Sequence, residues 1–241
     1  MAKDRYILAI DQGTSGTKSV VFDQKGTIVT KAHAPLSCSF PQEGYVEQSP
    51  SDLLDSVRSS VSTCIQQFRS TDPGARIEAC GISNQRETFL LWDDNGRPLT
   101  PAVVWQCKRS ISICQELEEQ GYSDWVQQKT GLIIDPYFSG TKLLWLYRND
   151  EKLRHKIEAG EVYFGTVDTW LLYTLTGGTV YATDYTNASR TMLFNIHDLC
   201  WDTDIIEDFS LGALHFPEVY PSSAEFGTTT LFNVLEAEVP I

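Results

Sequence analysis

Short apolar runs separated by turn residues fill the first third of the chain. Residues 6–10, 19–22 and 27–30 each read as a β-strand, with a Gly-bounded loop at 13–16 and a turn at Gln24-Lys25-Gly26 between them. This spacing predicts an antiparallel meander. A Pro-rich stretch, 35–50, then leads into a helix. Ser49 suits its N-cap, Pro50 its first turn, and Leu53, Leu54, Val57, Val61, Cys64, Ile65 and Phe68 recur at helical spacing. Strands follow at 77–82 and 89–92, on either side of the polar run Asn84-Gln85-Arg86-Glu87. The second half is more helical, with helices predicted over 110–120, 139–159, 166–176 and 202–209. Residues 135–137 and 183–190 read as polar turns without helical logic, and 238–241 as a strand-like end without a partner, which suggests that the polypeptide continues. Strands, a helix and more strands make an α/β plan in which the opening hairpins can carry a ligand loop.

Composition narrows the partners. The 241 residues are 41% hydrophobic, 11% aromatic and 21% charged, as expected of an ordinary globular chain and not of a disordered one. Nineteen Lys and Arg against 32 Asp and Glu leave a net charge of −13, which repels phosphate backbones and anionic lipid and argues against nucleic acid or a membrane as partner. Any phosphate must therefore be held locally. The six cysteines form no CxxC pair and the four histidines no HxxxH or HExxH pattern, so reduced thiols and no zinc site are expected. The first apolar run is broken by Asp11, too short for a secretion signal or a spanning helix, which points to the cytoplasm.

Several segments are candidates for chemistry. Asp11-Gln12-Gly13-Thr14-Ser15-Gly16-Thr17-Lys18 lies between two β-rich runs, and a tight turn rich in Gly and hydroxyls suits a backbone cradle for phosphate. Asp11 suits Mg²⁺, which favours one or two carboxylates plus phosphate oxygens. The segment fits a plain hairpin loop equally well. It is not a P-loop, because Thr17 and not Gly precedes Lys18. Arg86 and Glu87 place a donor-only and an acceptor-only group side by side after a strand, as a diol requires, although an exposed ion pair has the same appearance. Trp105 and the Asp135-Pro136-Tyr137 turn add flat faces with polar edges, which suit either a polyol or a core. Asp168 reads as a possible helix cap, and 184–190 as a possible hydrogen-bonded turn.

Taken together, Ala9-Ile10-Asp11-Gln12-Gly13-Thr14, Ser83-Asn84-Gln85-Arg86-Glu87-Thr88, Val104-Trp105-Gln106-Cys107, the run 135–142, residues 165–170 and residues 183–195 resemble the FGGY carbohydrate kinase family. They stand in family order over nearly the whole chain, and the second and fourth of these segments look like the glycerol-phosphorylating members. The resemblance implies a ribonuclease H-like, actin-type fold in which residues 1–241 form the N-terminal lobe of a two-lobed kinase, with ATP in the cleft between lobes. By the same resemblance Asp11 would organise Mg²⁺; Thr14, Ser15 and Gly16 would line the phosphates with Lys18 nearby; and Arg86, Glu87, Trp105 and Tyr137 would hold glycerol. It implies a homo-oligomer at full length and places the catalytic base, an Asp in a Gly-Asp-Gln segment, and the adenine-binding lobe beyond Ile241. Residues 1–241 alone are thus expected to be inactive or nearly so. The rival readings are a kinase of the same family acting on another polyol or sugar, and a non-enzymatic actin-like ATPase lobe.

Overall fold

A computed structural model describes residues 5–241. The meander is present: β1 (Arg5–Gly13), β2 (Gly16–Asp23) and β3 (Ile28–Pro35) pair antiparallel in sequence. The period-2 alternation of β1 runs past its apolar stretch. Tyr6, Leu8, Ile10 and Gln12 point inward, and Asp11 faces out. Because β1 and β2 stay paired to Gly13 opposite Gly16, the predicted four-residue loop contracts to a two-residue turn, Thr14-Ser15.

After β4 (Glu47–Gln48), α1 (Pro50–Thr71) starts where predicted, with the Ser49 side chain accepting from the Asp52 amide. Its stripe of Leu53, Val57, Val61, Ile65 and Phe68 is buried against the meander. Each such side chain contributes about 1.5–3 kcal/mol. The helix crosses over to β5 (Arg76–Asn84), which lies parallel to β1 and completes a sheet of order β3-β2-β1-β5.

A second sheet joins β4 to β6 (Phe89–Trp92), β7 (Ala102–Val103) and β8 (Tyr163–Thr166) in the antiparallel order β4-β7-β6-β8. Strand β6 separates two cores. Phe89 and Leu91 face one, with Leu143, Phe164 and Ile205; Leu90 and Trp92 face the other, with Leu8, Val57 and Trp170. Residues 85–88, which link β5 to β6, therefore sit where the two cores meet.

The helical half departs from the sequence pattern in places. α2 (Ile111–Glu119), α6 (Val167–Leu175) and α8 (Thr203–Asp208) fall where predicted, and α3 (Ser123–Thr130), with only Val126 and Thr130 buried, was not foreseen. The single helix predicted over 139–159 is two, α4 (Ser139–Asn149) and α5 (Glu151–Glu158). Asp150 is extended and its carboxylate accepts from the Leu153 amide, so it ends one helix and caps the next. The polar segment 183–190 holds the end of β9 (Ala182–Asp184) and a short α7 (Tyr185–Ala188), capped by Asp184. β10 (Phe194–Asn195) and β11 (Cys200–Trp201) form a small hairpin, and β12 (Glu218–Tyr220) lies parallel to β9. The strand at the end of the chain does have a partner: β14 (Val239–Pro240) pairs antiparallel with β13 (Thr228–Thr229).

Candidate active site

The β1–β2 turn is built to be approached from one side. Across the ladder Asp11 sits opposite Lys18 on β2 and Ser83 on β5, on the open face of the sheet. Ser15 is exposed and Thr14 half-buried, while Gly16 is covered by β3. A Cβ at Gly16 would lie 2.5 Å from the Ala34 carbonyl oxygen and 2.5 Å from His33 Nε2, so only glycine lets β3 pass there. Of the residues predicted to line phosphates, Thr14 and Ser15 thus reach the surface at the turn and Lys18 along the strand, whereas Gly16 can offer no more than backbone.

Three buried glutamines tie this turn to the β5–β6 link. Gln85 Nε2 donates to Gln12 Oε1 at 3.1 Å and to Gln48 Oε1 at 2.8 Å, and Gln85 Oε1 accepts from Thr88 Oγ1 at 3.1 Å. Gln48 Nε2 donates to the Thr14 carbonyl at 2.7 Å, and Gln12 Nε2 to the Gly13 carbonyl at 2.9 Å. A buried amide network satisfied this fully specifies one arrangement and is costly to disrupt. Asn84 Nδ2 donates to Asn187 Oδ1 at 2.9 Å, drawing α7 to the same place. Asn84 and Gln85, the neighbours of the candidate pair Arg86 and Glu87, are engaged in holding the fold.

Beyond the network the chain turns sharply. Glu87 has φ +62°, a left-handed value rare for a side chain of its size, and its carboxylate is buried. Its Oε1 accepts from Arg190 Nε at 2.6 Å, and its carbonyl accepts from Ser139 Oγ at 2.9 Å. Arg86 next to it is exposed, and its side chain has no hydrogen bond or ion pair among the described residues. The Trp105 amide donates to Thr88 Oγ1 at 3.1 Å, and its indole Nε1 to Thr14 Oγ1 at 2.9 Å. The ring of Tyr137 lies 5.3 Å from that of Trp105, and the Arg190 guanidinium is 5.9 Å from the Tyr137 ring. Glu87, Trp105, Tyr137 and Thr14 are therefore linked by direct contacts or one intervening residue, with Arg86 at their margin.

Two cations here escaped the sequence reading. Arg190 lies in a segment read as a turn, and it and Lys142 were otherwise seen only as parts of motifs. Lys142 is completely buried, and its Nζ donates to the carbonyls of Pro136 at 2.9 Å and Tyr137 at 2.8 Å. Burial pushes its ammonium down to about 7. A lysine in the middle of the apolar face of α4 was the available signal. Asp168 does not reach this cluster. It is buried in the first turn of α6, accepting from Thr166 Oγ1 and Thr183 Oγ1 at 2.6 Å each, and burial pushes it up to about 6 in spite of these donors.

The described residues contain no group of three or more His, Cys, Asp or Glu that could hold a metal, and no helix long and apolar enough to cross a membrane. Asp11 is a lone outward carboxylate. That donor set suits Mg²⁺ carried mainly by water and phosphate oxygens and does not suit a protein-caged ion.

The fold agrees with comparisons to known proteins. The family model for the N-terminal domain of the FGGY family of carbohydrate kinases matches residues 6–240, and the chain belongs to that family. Among curated relatives it is 46% identical over 240 residues to glycerol kinase 2 of Thermotoga maritima, covering 98% of this chain and 47% of that protein. It is 45% identical to glycerol kinase of Oceanobacillus iheyensis, covering 99% and 47%. The structure of Plasmodium falciparum glycerol kinase with ADP superposes with a TM-score of 0.92 at 31% identity, over 99% of this chain and 48% of that one. Gluconate kinase of Lactobacillus acidophilus gives 0.88 at 21% identity, which shows a shared fold alone. The chain spans about half the length of the curated relatives it matches. It has the mixed α/β, actin-like architecture of the N-terminal domain of these kinases.

Proposed function

We propose that residues 1–241 are the polyol-binding and phosphate-turn lobe of a kinase that transfers the ATP γ-phosphoryl group to a terminal hydroxyl of glycerol. The observation that carries this is the Trp105–Thr14 hydrogen bond, which supports the reading because it ties a ring suited to cover a diol to a turn suited to phosphate. Arg86, free of partners, would donate to neighbouring hydroxyls, Glu87 would accept from them, and Trp105 and Tyr137 would cover the C–H face. Thr14 and Ser15 would line the phosphates, with Gly16 supplying backbone and Lys18 a cation beside them. Asp11 would hold Mg²⁺, which offsets charge on the transferring group when bound.

In the transfer, the glycerol oxygen bonds to the γ-phosphorus as the bond to the bridging oxygen of ADP breaks, and the hydroxyl proton passes to a base. The resemblance places that base and the adenine site outside residues 1–241. Identities of 43–46% to proteins named glycerol kinase support glycerol over a sugar. A coupled assay of the full-length protein should show turnover with glycerol at least about a hundredfold above that with xylulose or gluconate, a difference of about 2.7 kcal/mol. Preference for either sugar acid or ketose would replace this reading with another member of the family, and no turnover with any acceptor would favour a non-enzymatic lobe. Assembly with identical chains is part of the proposal, and sedimentation of the full-length protein tests it.

A further inference from the structure

Glu87 has two carboxylate oxygens, and the structure treats them differently. Oε1 is held by Arg190 Nε at 2.6 Å, whereas Oε2 accepts no hydrogen bond among the described residues. Oε2 is not one of the sealed polar atoms without a partner, which are Trp92 Nε1, Thr169 Oγ1 and Trp170 Nε1, so it keeps some accessible surface. Arg190 is itself fixed on three sides. Its guanidinium lies 4.9 Å from the Phe138 ring and 5.9 Å from the Tyr137 ring, and its amide donates to the Asn187 carbonyl at 3.0 Å. Asn187 in turn binds Asn84, three residues before Glu87. Close approach of this segment depends on Gly140, whose amide donates to the Thr191 carbonyl at 2.7 Å.

We propose that Arg190 is a positioning residue for the polyol: by occupying Oε1 it leaves Glu87 a single acceptor, Oε2, aimed at the substrate, and by packing on Tyr137 it sets that acceptor relative to the aromatic wall. Arg190 does not itself touch the reacting atoms. A carboxylate at a strained left-handed residue would otherwise rotate between solvent and ligand, and a fork-shaped donor stacked on two rings restrains it as a flexible ammonium does not. This inference rests on the polyol reading above.

The test compares Glu87→Gln, Arg190→Gln, Arg190→Lys and the Glu87→Gln/Arg190→Gln double variant in the full-length protein, reading KM for glycerol, KM for ATP, kcat and Tm. Arg190→Gln should raise the glycerol KM by about ten- to hundredfold, the range for losing one charge-assisted hydrogen bond, with the ATP KM within about twofold. The double variant should be no worse than Glu87→Gln alone, because the arginine acts through that carboxylate. Arg190→Lys keeps a cation beside the buried carboxylate. It should hold the wild-type Tm and still raise the glycerol KM, which decides the matter should the glutamine variant fail to fold. Multiplying effects in the double variant, a wild-type glycerol KM in either arginine variant, or equal losses for both substrates would overturn the proposal. An unchanged glycerol KM in Glu87→Gln would instead overturn the polyol reading itself.

Discussion

The indole of Trp105 donates its only hydrogen bond to the hydroxyl of Thr14, at 2.9 Å across 91 positions of sequence. On the proposed reading Trp105 faces the polyol and Thr14 the phosphates, so the bond would join the two halves of the transfer. Thr14→Val keeps the shape of the turn and removes the acceptor, leaving a half-buried N–H unpaired. A loss of about 1 kcal/mol is expected in each substrate's binding, a few-fold rise in both KM values. Titration of glycerol with and without ADP checks the link: any enhancement of one by the other should fall in the variant. A change confined to a single substrate would mean that the bond is merely structural.

Gly140 offers a test of the packing beneath the pocket. A Cβ there would lie 2.9 Å from the Thr191 carbonyl oxygen and 3.3 Å from the Leu193 side chain, both on the segment that follows Arg190. Backbone cannot swing aside as a side-chain tip does. Gly140→Ala should therefore cost about 1–3 kcal/mol of stability by overpacking, lowering the urea midpoint, and should also raise the glycerol KM by displacing Arg190. Lost stability with an unaltered glycerol KM would show that the segment relaxes without moving the arginine.

Lys142 and Asp168 impose opposite pH trends on stability. Burial pushes Lys142 from 10.5 to about 7, so between those values the unfolded chain holds a proton that the folded chain does not, and stability rises with pH across that window. Burial pushes Asp168 from 3.8 to about 6, so there the folded chain holds the extra proton and stability falls as pH rises through that window. Lys142→Met should flatten the alkaline trend and Asp168→Asn the acidic one. Each effect is a few kcal/mol at most, since a tenfold change in proton affinity is about 1.4 kcal/mol. Urea denaturation from pH 4 to pH 10 reads both, and a variant whose pH profile overlays the wild type would show that its residue titrates normally in the fold.

Much of the framework was legible because local signals agreed. Helix α1 has a capping Ser49, a Pro50 at its start and an unbroken stripe, and the apolar runs 6–10, 19–22 and 27–30 with turn residues between them mark the meander. The break at Asp150 was harder, since one residue ends α4 and caps α5 inside a continuous helical pattern. The candidate residues could be picked out one by one from the sequence, but their contacts could not. Gln85 and Arg86 look alike as polar neighbours, yet Gln85 is drawn inward by Gln12 and Gln48, 73 and 37 positions away, and Arg86 has no such partner. Arg190 meets Glu87 across 103 positions, a pairing that no local pattern encodes.

Residues 1–241 by themselves should not phosphorylate glycerol at a useful rate. In-line transfer needs a base near the attacking hydroxyl, and lacking one typically costs about 10²–10⁴-fold. The carboxylates near the pocket are poorly placed to substitute. Glu87 is held by Arg190, and Asp135 accepts from the Tyr137 amide at 2.7 Å. Asp184 caps α7 and accepts from Thr186 and Ser222; burial raises its pKa but these donors outweigh it and hold the group below the usual carboxylate range. Asp11 is open, but the proposed reading already assigns it to Mg²⁺. On the proposed reading a single lobe also cannot close over ATP, so water would not be excluded and the nucleotide would be held by the Thr14 turn alone, weakly and with a dependence on Mg²⁺. A coupled assay of the purified fragment beside the full-length protein, with circular dichroism to verify folding, decides the point. Turnover by a folded fragment within about tenfold of the full-length protein, a gap of only ~1.4 kcal/mol, would mean that the base lies among these residues after all.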